Sequence, residues 1–230
     1  MYVPRMSPGE LRSDLEESLK ALETDYIDIY FLHRDDISRP VEEILENLEA
    51  FRKEGKIRHY GCSNWSLSRI IEAAETAAAK GFEGFICNQI RYGLGDINLK
   101  AVSDETTLAM DKSTYSYHQK TKMAVMAYTS SCNGYFSKKI KGEEIPPSRE
   151  SVYANEPNQI LLQKLALWEK EFNYPAAALV LAYTMSQDFP AAAIASFSSI
   201  RQLEEVLPAG DFIFPQEYLK EIQGIKRFLF

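Results

Sequence analysis

The chain has 230 residues, 45% hydrophobic and 26% charged, with a formal net charge of −7. That composition suits one well-buried core without a disordered region. The negative balance argues against a polyanionic partner, because binding nucleic acid requires clustered Lys and Arg to displace counterions, and the nearest such run, Lys138, Lys139 and Lys141, reads as a solvated loop.

In chain order, Ser7, Pro8 and Glu10 spell a helix start, with Ser7 as N-cap, Pro8 at the first helical position and Glu10 reaching back in a capping box. Leu11, Leu15, Leu19 and Leu22 then line one face. Tyr26 to Leu32 is a short, nearly continuous apolar run, as expected of a strand covered on both sides, and it ends at His33. Val41, Ile44, Leu45, Leu48 and Phe51 fall at helical spacing, and Gly55 suits the left-handed residue that stops a helix. A second strand is expected from Ile57 to Gly61, a helix from Leu67 to Lys80 closed by Gly81, and a third strand from Phe85 to Ile90. An irregular stretch leads to a fourth strand at Ala124 to Tyr128. Asn158 to Gln187 reads as helix broken near Asn173-Tyr174-Pro175, since proline disfavours helix at the residue before it. A fifth strand near Ala191 to Ser196 precedes a helix containing Leu203, Val206 and Leu207, and Pro215 to Phe230 reads as a last helix.

Alternating strands and helices imply a parallel sheet with right-handed crossovers. About five units are present; a closed (β/α)8 barrel needs eight, whereas an open sheet can stop at five. No GxGxxG or GxxxxGK[ST] is found, and Gly93-Leu94-Gly95 lacks both the third glycine and a following helix. Cys62, Cys87 and Cys132 cannot all pair and show no CxxC spacing, which argues against a disulfide framework or a zinc site. With no apolar run of the ~20 residues that span a bilayer and no signal-peptide core, a cytoplasmic protein without a membrane partner is expected.

In both architectures functional groups sit at the carboxyl ends of strands. The first strand ends His33-Arg34-Asp35-Asp36, an imidazole and two carboxylates; a histidine there either hydrogen-bonds a substrate carbonyl or closes the core. The second ends Ser63-Asn64, a hydroxyl beside a carboxamide, which suits an amide-bearing ligand or a simple turn. The third ends Asn88-Gln89. The fourth ends Tyr128-Thr129-Ser130, an aromatic face with two hydroxyls.

That series resembles the aldo-keto reductase family, most specifically in Leu15 to Asp36, Glu54 to Ser66, Asn88 to Leu94 and Met126 to Ser137. The resemblance implies a (β/α)8 barrel of which this chain, a single domain over residues 1–230, carries about five units. It implies NADP(H)-dependent reduction of a small aldehyde or ketone, with NAD as the other candidate. By position it makes His33 the active-site histidine, Ser63, Asn64 and Gln89 the partners of the nicotinamide carboxamide, and Tyr128 the residue stacked under the ring. Thr129 and Ser130 begin the loop near the pyrophosphate, and Ser198 and Gln202 fall where the family holds the adenosine phosphate, a stretch with Arg201 as its one basic residue.

The family's proton-donating Tyr, with its Lys and Asp, lies on early strands that have no counterpart in this chain. Two readings follow: a reductase inactive alone or completed by a separate amino-terminal portion, and a non-catalytic nucleotide-binding or interaction protein. The bare strand edges of a partial barrel predict a homo-oligomer or that missing portion. A third reading replaces the missing strands with Met1 to Met6 or part of Leu99 to Lys122, and restores chemistry only if Tyr115 or Tyr117 reaches His33; Tyr2 is the one tyrosine ahead of the first helix.

Overall fold

A computed structural model describes residues 4–226 of the chain. The first helix, α1 (Pro8–Leu22), starts as its residues dictate: the Ser7 hydroxyl accepts the Glu10 N–H, and the Glu10 carboxylate accepts the Ser7 N–H at 3.0 Å. Leu11, Leu15 and Leu19 are buried, but Leu22, the last helical residue, is 64% exposed and lies outside the core. There follow β1 (Ile27–Leu32), α2 (Val41–Lys53), β2 (Ile57–Ser63), α3 (Leu67–Lys80) and β3 (Cys87–Arg91). Then come α4 (Lys112–Thr121), β4 (Ala124–Tyr128), α5 (Tyr135–Ile140), α6 (Pro147–Tyr153), α7 (Glu156–Phe172), α8 (Ala176–Met185), β5 (Ala191–Ala193), α9 (Ile200–Val206) and α10 (Gln216–Ile225).

By internal contacts the chain divides into two units, Met1–Gln89 and Ile90–Phe230. In the first, β1 pairs parallel with β2 and β2 with β3. The row Tyr30–Tyr60 faces the helices: α2 buries Val41, Ile44, Leu45, Leu48 and Phe51, and its Glu49 accepts the Tyr60 hydroxyl at 2.8 Å. On the other face Phe31 lies beside Gly61, where a Cβ would sit 2.6 Å from the Phe31 ring and 2.8 Å from the Cys87 carbonyl, so only glycine fits. Gly81 closes α3 at φ 68°.

In the second unit β4 and β5 pair parallel through Val125–Ala191 and Ala127–Ala193. The helix break expected at Pro175 is present: Asn173, left-handed at φ 56°, ends α7, and α8, apolar all round, is almost wholly buried. Three features differ from the sequence reading. Helix α4 occupies part of the stretch expected to be irregular, and Lys138 and Lys139, expected in a solvated loop, belong to α5; they pair with Glu143 and Glu150, and Lys141 pairs with Glu205. The fifth strand is only three residues long, because the chain turns out of pairing after Ala193. Leu203 and Leu207 are 40% and 61% exposed, so α9 does not bury the apolar stripe its sequence suggests.

Among the described residues Leu99 to Lys122 supplies a short 3-10 turn, one bridge between Arg91 and Ala109, and α4, rather than a replacement strand. Met1–Val3 and residues 227–230 lie outside the described residues, and with them Tyr2, half of Met1–Met6 and the end of the last expected helix. No helix among the described residues is long and apolar enough to cross a membrane, and Cys62, Cys87 and Cys132 are free and buried.

Candidate functional site

In the first unit the register brings the strand ends into line. Leu32 pairs with Cys62 and Cys62 with Asn88, while Ser63 pairs with Gln89, so His33, one residue past Leu32, falls on the Ser63–Gln89 row. Paired residues of neighbouring strands present their side chains on one face. His33 is exposed, and its carbonyl accepts the Arg34 guanidinium at 2.7 Å. Ser63 is buried and its hydroxyl accepts the Asn64 amide at 2.9 Å. Asn64 is left-handed at φ 55°, a conformation asparagine tolerates better than most residues, and this turns the chain out of β2 toward α3. Half-buried Gln89 has no side-chain hydrogen-bond partner among the described residues. An open primary amide beside a Ser–Asn pair offers the alternating donors and acceptors that a ligand carboxamide needs.

The two carboxylates after His33 are structural. Asp35 takes a two-pronged pair from Arg69 at 2.9 and 3.1 Å, and Asp36 accepts the Ser38 N–H and hydroxyl and lies 3.5 Å from Arg39. A cavity of about 790 Å³ opens at the other ends of the strands, around Asp25, Lys56, Ile57, Arg58 and His59. Its polar side chains are already partnered, Lys56 with Glu16, Arg58 with Asp28 and the His59 ring with Glu83, so it offers a ligand less than the His33 row does.

In the second unit Tyr128 ends β4 half-buried, its hydroxyl donating at a long 3.5 Å to the Leu108 carbonyl. Thr129 is left-handed at φ 54°. Ser130 is buried and donates to the Ile194 carbonyl at 2.8 Å, tying the end of β4 to the end of β5, which leaves its oxygen as an acceptor. The chain after β3 lies against this turn: a Cβ at Gly93 would be 2.9 Å from the Ser130 carbonyl. Ser198 and Gln202 are exposed and hold each other, the Ser198 N–H and hydroxyl both donating to the Gln202 side-chain carbonyl at 3.0 Å.

Tyr115 is taken out of contention as an acid. Its hydroxyl donates to Gln187 and accepts from Gln223, each at 2.8 Å, and burial pushes its pKa up to about 12. Tyr117 stands edge-on to His118, a fully buried ring whose Nδ1 meets the Met123 carbonyl and whose pKa burial lowers.

Sequence reasoning missed a buried charged cluster in this unit. Arg91, Asp96 and Lys226 are 7%, 5% and 5% exposed. The Lys226 ammonium donates to the Gly93 carbonyl at 2.6 Å and lies 5.3 and 5.1 Å from the ring centres of Tyr92 and Tyr183. Burial pulls its pKa down to about 8. Nothing in the spacing around Lys226 marks it; only the fold brings Gly93, 133 residues away in sequence, to it.

The profile described as the aldo/keto reductase family matches residues 1–227. The uncharacterized oxidoreductase YrpG of Bacillus subtilis is 25% identical over 221 residues, covering 96% of this chain and 64% of that protein. Aldo-keto reductase YhdN of the same organism is 29% identical over 227 residues, covering 92% and 62%. The chain thus spans less than two thirds of the length of these relatives. The crystal structure of an aldo/keto reductase from Klebsiella pneumoniae in complex with NADP and acetate matches with a TM-score of 0.67 at 23% identity, covering 96% of this chain and 65% of that one. At that identity the likeness establishes the fold type, the parallel α/β architecture of (β/α)8 barrels.

Proposed function

Because the chain belongs to the aldo/keto reductase family, whose profile matches residues 1–227, we propose that it is an oxidoreductase that uses NADP(H) to reduce a small aldehyde or ketone. The observation that carries this is the Ser63–Asn64 pair beside the open amide of Gln89, a set of donors and acceptors suited to the nicotinamide carboxamide. NADPH, when bound, supplies the hydride. Ser63, Asn64 and Gln89 hydrogen-bond the carboxamide and so fix which face of the ring is presented. Tyr128 offers its ring as a stacking surface. Thr129 and Ser130 meet the phosphates, and Ser198 and Gln202 exchange their mutual bond for the adenosine end. His33, exposed on the same row as Ser63, donates an N–H to the carbonyl oxygen and orients it.

The test is NADPH binding by nicotinamide fluorescence on wild type, Tyr128→Ala and Gln89→Ala, with carbonyl-dependent oxidation followed in the same sample. Removing the Gln89 amide is expected to weaken binding about fivefold to tenfold, the value of one hydrogen bond. Turnover alongside binding supports the reductase. Binding without turnover favours the second reading, a non-catalytic nucleotide-binding protein, to which the Tyr115 hydroxyl, held by two glutamines, gives weight. No binding at millimolar cofactor refutes both.

We place the protein in the cytoplasm, supported by three buried free thiols, which suit a reducing compartment. Among the described residues β1 pairs with β2 alone and β5 with β4 alone. Strand edges of that kind drive association, and we propose a homo-oligomer or a complex with a further strand-bearing segment; light scattering that shows a monomer at high concentration refutes this.

A further inference from the structure

The stretch Ser196–Gln202 carries a single basic residue, Arg201, so a phosphate bound in the second unit needs its positive charge from somewhere else. A cluster of buried cations lies close to the turn that follows β4. Lys226 holds the Gly93 carbonyl, and Gly93 packs directly on Ser130. Cys132 accepts the Gly95 N–H at 3.3 Å and feels the positive charges of both Lys226 and Arg91. Arg91 reaches the Tyr153 hydroxyl only at a long 3.4 Å, and its buried Nε has no hydrogen-bond partner among the described residues.

Charge does not balance in this cluster. Asp96, held by the Asn155 amide, offsets Lys226 but is the one carboxylate among the buried charged residues of the unit that the structure describes. The other groups facing the cations are neutral at physiological pH: burial pushes the Cys132 thiol up to about 11 and the Tyr153 hydroxyl up to about 12, and it raises Tyr92 and Tyr183 as well. Among the described residues, two cations against one carboxylate leave an excess positive charge in a low-dielectric interior, where salt screens it far less than it screens a surface arginine.

We propose that Arg91 and Lys226 are positioning residues that set a positive potential at the Thr129–Cys132 turn, so that this turn binds a phosphate group without a basic side chain in contact with it. The inference rests on the reading above that the turn meets the cofactor's phosphates. It also assigns Lys226 a reason to be buried charged, since as a merely structural side chain it would be replaceable by methionine.

The experiment measures two probes on wild type, Lys226→Met, Lys226→Arg and Arg91→Met, each checked for native circular dichroism. NADPH binding is read by fluorescence, and inorganic pyrophosphate by the rise it causes in Tm. In wild type, affinity for both is expected to fall about tenfold as pH rises through about 8, where Lys226 loses its charge. Lys226→Met should bind weakly at every pH, and Lys226→Arg should keep the affinity without the step, because arginine stays charged. Arg91→Met should weaken both probes and keep the step. If Lys226→Met does not fold, Lys226→Arg decides: a step retained there overturns the proposal. Variants that bind like wild type overturn it while leaving the cofactor reading intact. Pyrophosphate bound with this pattern and NADPH not bound supports the proposal and removes the nicotinamide reading. Failure of both probes on wild type overturns both.

Discussion

The two units solve the same problem, burying charge, in opposite ways. In the first, each buried carboxylate is paired with an arginine, and Asp35 with Arg69 from 34 residues away. Asp36 meets Ser38 and Arg39, and Glu49 meets Arg52 three residues on, with the Tyr60 hydroxyl and the Glu83 N–H completing its shell. In the second, Lys226 reaches back to Gly93 and Arg91 across to Tyr153, and the Arg91 Nε stays unpaired. Buried polar groups are normally all satisfied; among the described residues the exceptions include the neutral Trp65 Nε1 in the first unit and the charged guanidinium of Arg91, through its Nε, in the second.

The largest effect that would sharpen this contrast is on the first unit's core. Phe51 is 1% exposed on α2, with the Arg12 guanidinium 4.6 Å from its ring centre. Phe51→Ala is expected to cost about 3–5 kcal/mol, the lost transfer energy plus the cavity left behind. In the second unit Leu203→Ala, at a position 40% exposed, should cost under about 0.5 kcal/mol. Urea unfolding read from Trp65 in a Trp168→Phe background, and from Trp168 in a Trp65→Phe background, measures each unit. Equal costs for the two substitutions would show that apolar spacing, rather than the observed packing, sets the cores.

The same contrast explains how far the sequence could be read. Helix α2 and its buried face were legible because Val41, Ile44, Leu45, Leu48 and Phe51 repeat at helical spacing, and α3 because Gly81 punctuates it. The row of His33, Ser63 and Gln89 was legible because successive parallel strands end in register, so equal offsets in sequence become neighbours in space. The carboxylate of Asp35 looked like a site residue because its partner Arg69 lies 34 residues away, beyond any local pattern. Helices α5 and α6 were missed because six and seven residues give too few turns for a period to show. Lys226 was invisible for the strongest reason: a buried cation is defined wholly by what surrounds it.

A second prediction opposes the two units in pH. Burial by itself would raise the Glu49 pKa, but hydrogen bonds from Arg52, the Glu83 N–H and Tyr60 outweigh it and hold the carboxyl below its ordinary 4.5. A carboxyl lowered in this way stabilises the fold above its unfolded pKa, and that contribution is lost as pH falls through the folded one. Lys226 runs the other way. Its folded pKa, about 8, lies below the unfolded 10.5, so the unfolded chain binds the extra proton and stability rises between those values. Relative to Lys226→Met, wild type should gain at most about 3 kcal/mol over that span; relative to Glu49→Gln, it should lose stability in acid. Unfolding free energies of the three proteins across the pH range give both slopes, and a flat difference for Lys226→Met would mean that water reaches its ammonium.

The smallest effect concerns a feature that depends on neither unit's interior. At the start of α1 the Ser7 hydroxyl and Glu10 carboxylate satisfy each other's backbone N–H groups, an arrangement read directly from the order of residues. Ser7→Ala removes the acceptor for the Glu10 N–H and also the hydroxyl that donates to the Glu10 carboxylate. The expected cost is about 1 kcal/mol, and Ser7→Thr should recover most of it, because threonine also caps. If Ser7→Ala instead cost as much as Phe51→Ala, the helix would depend on its first turn more than on Leu11, Leu15 and Leu19, and the burial of those leucines would not be what holds α1 in place.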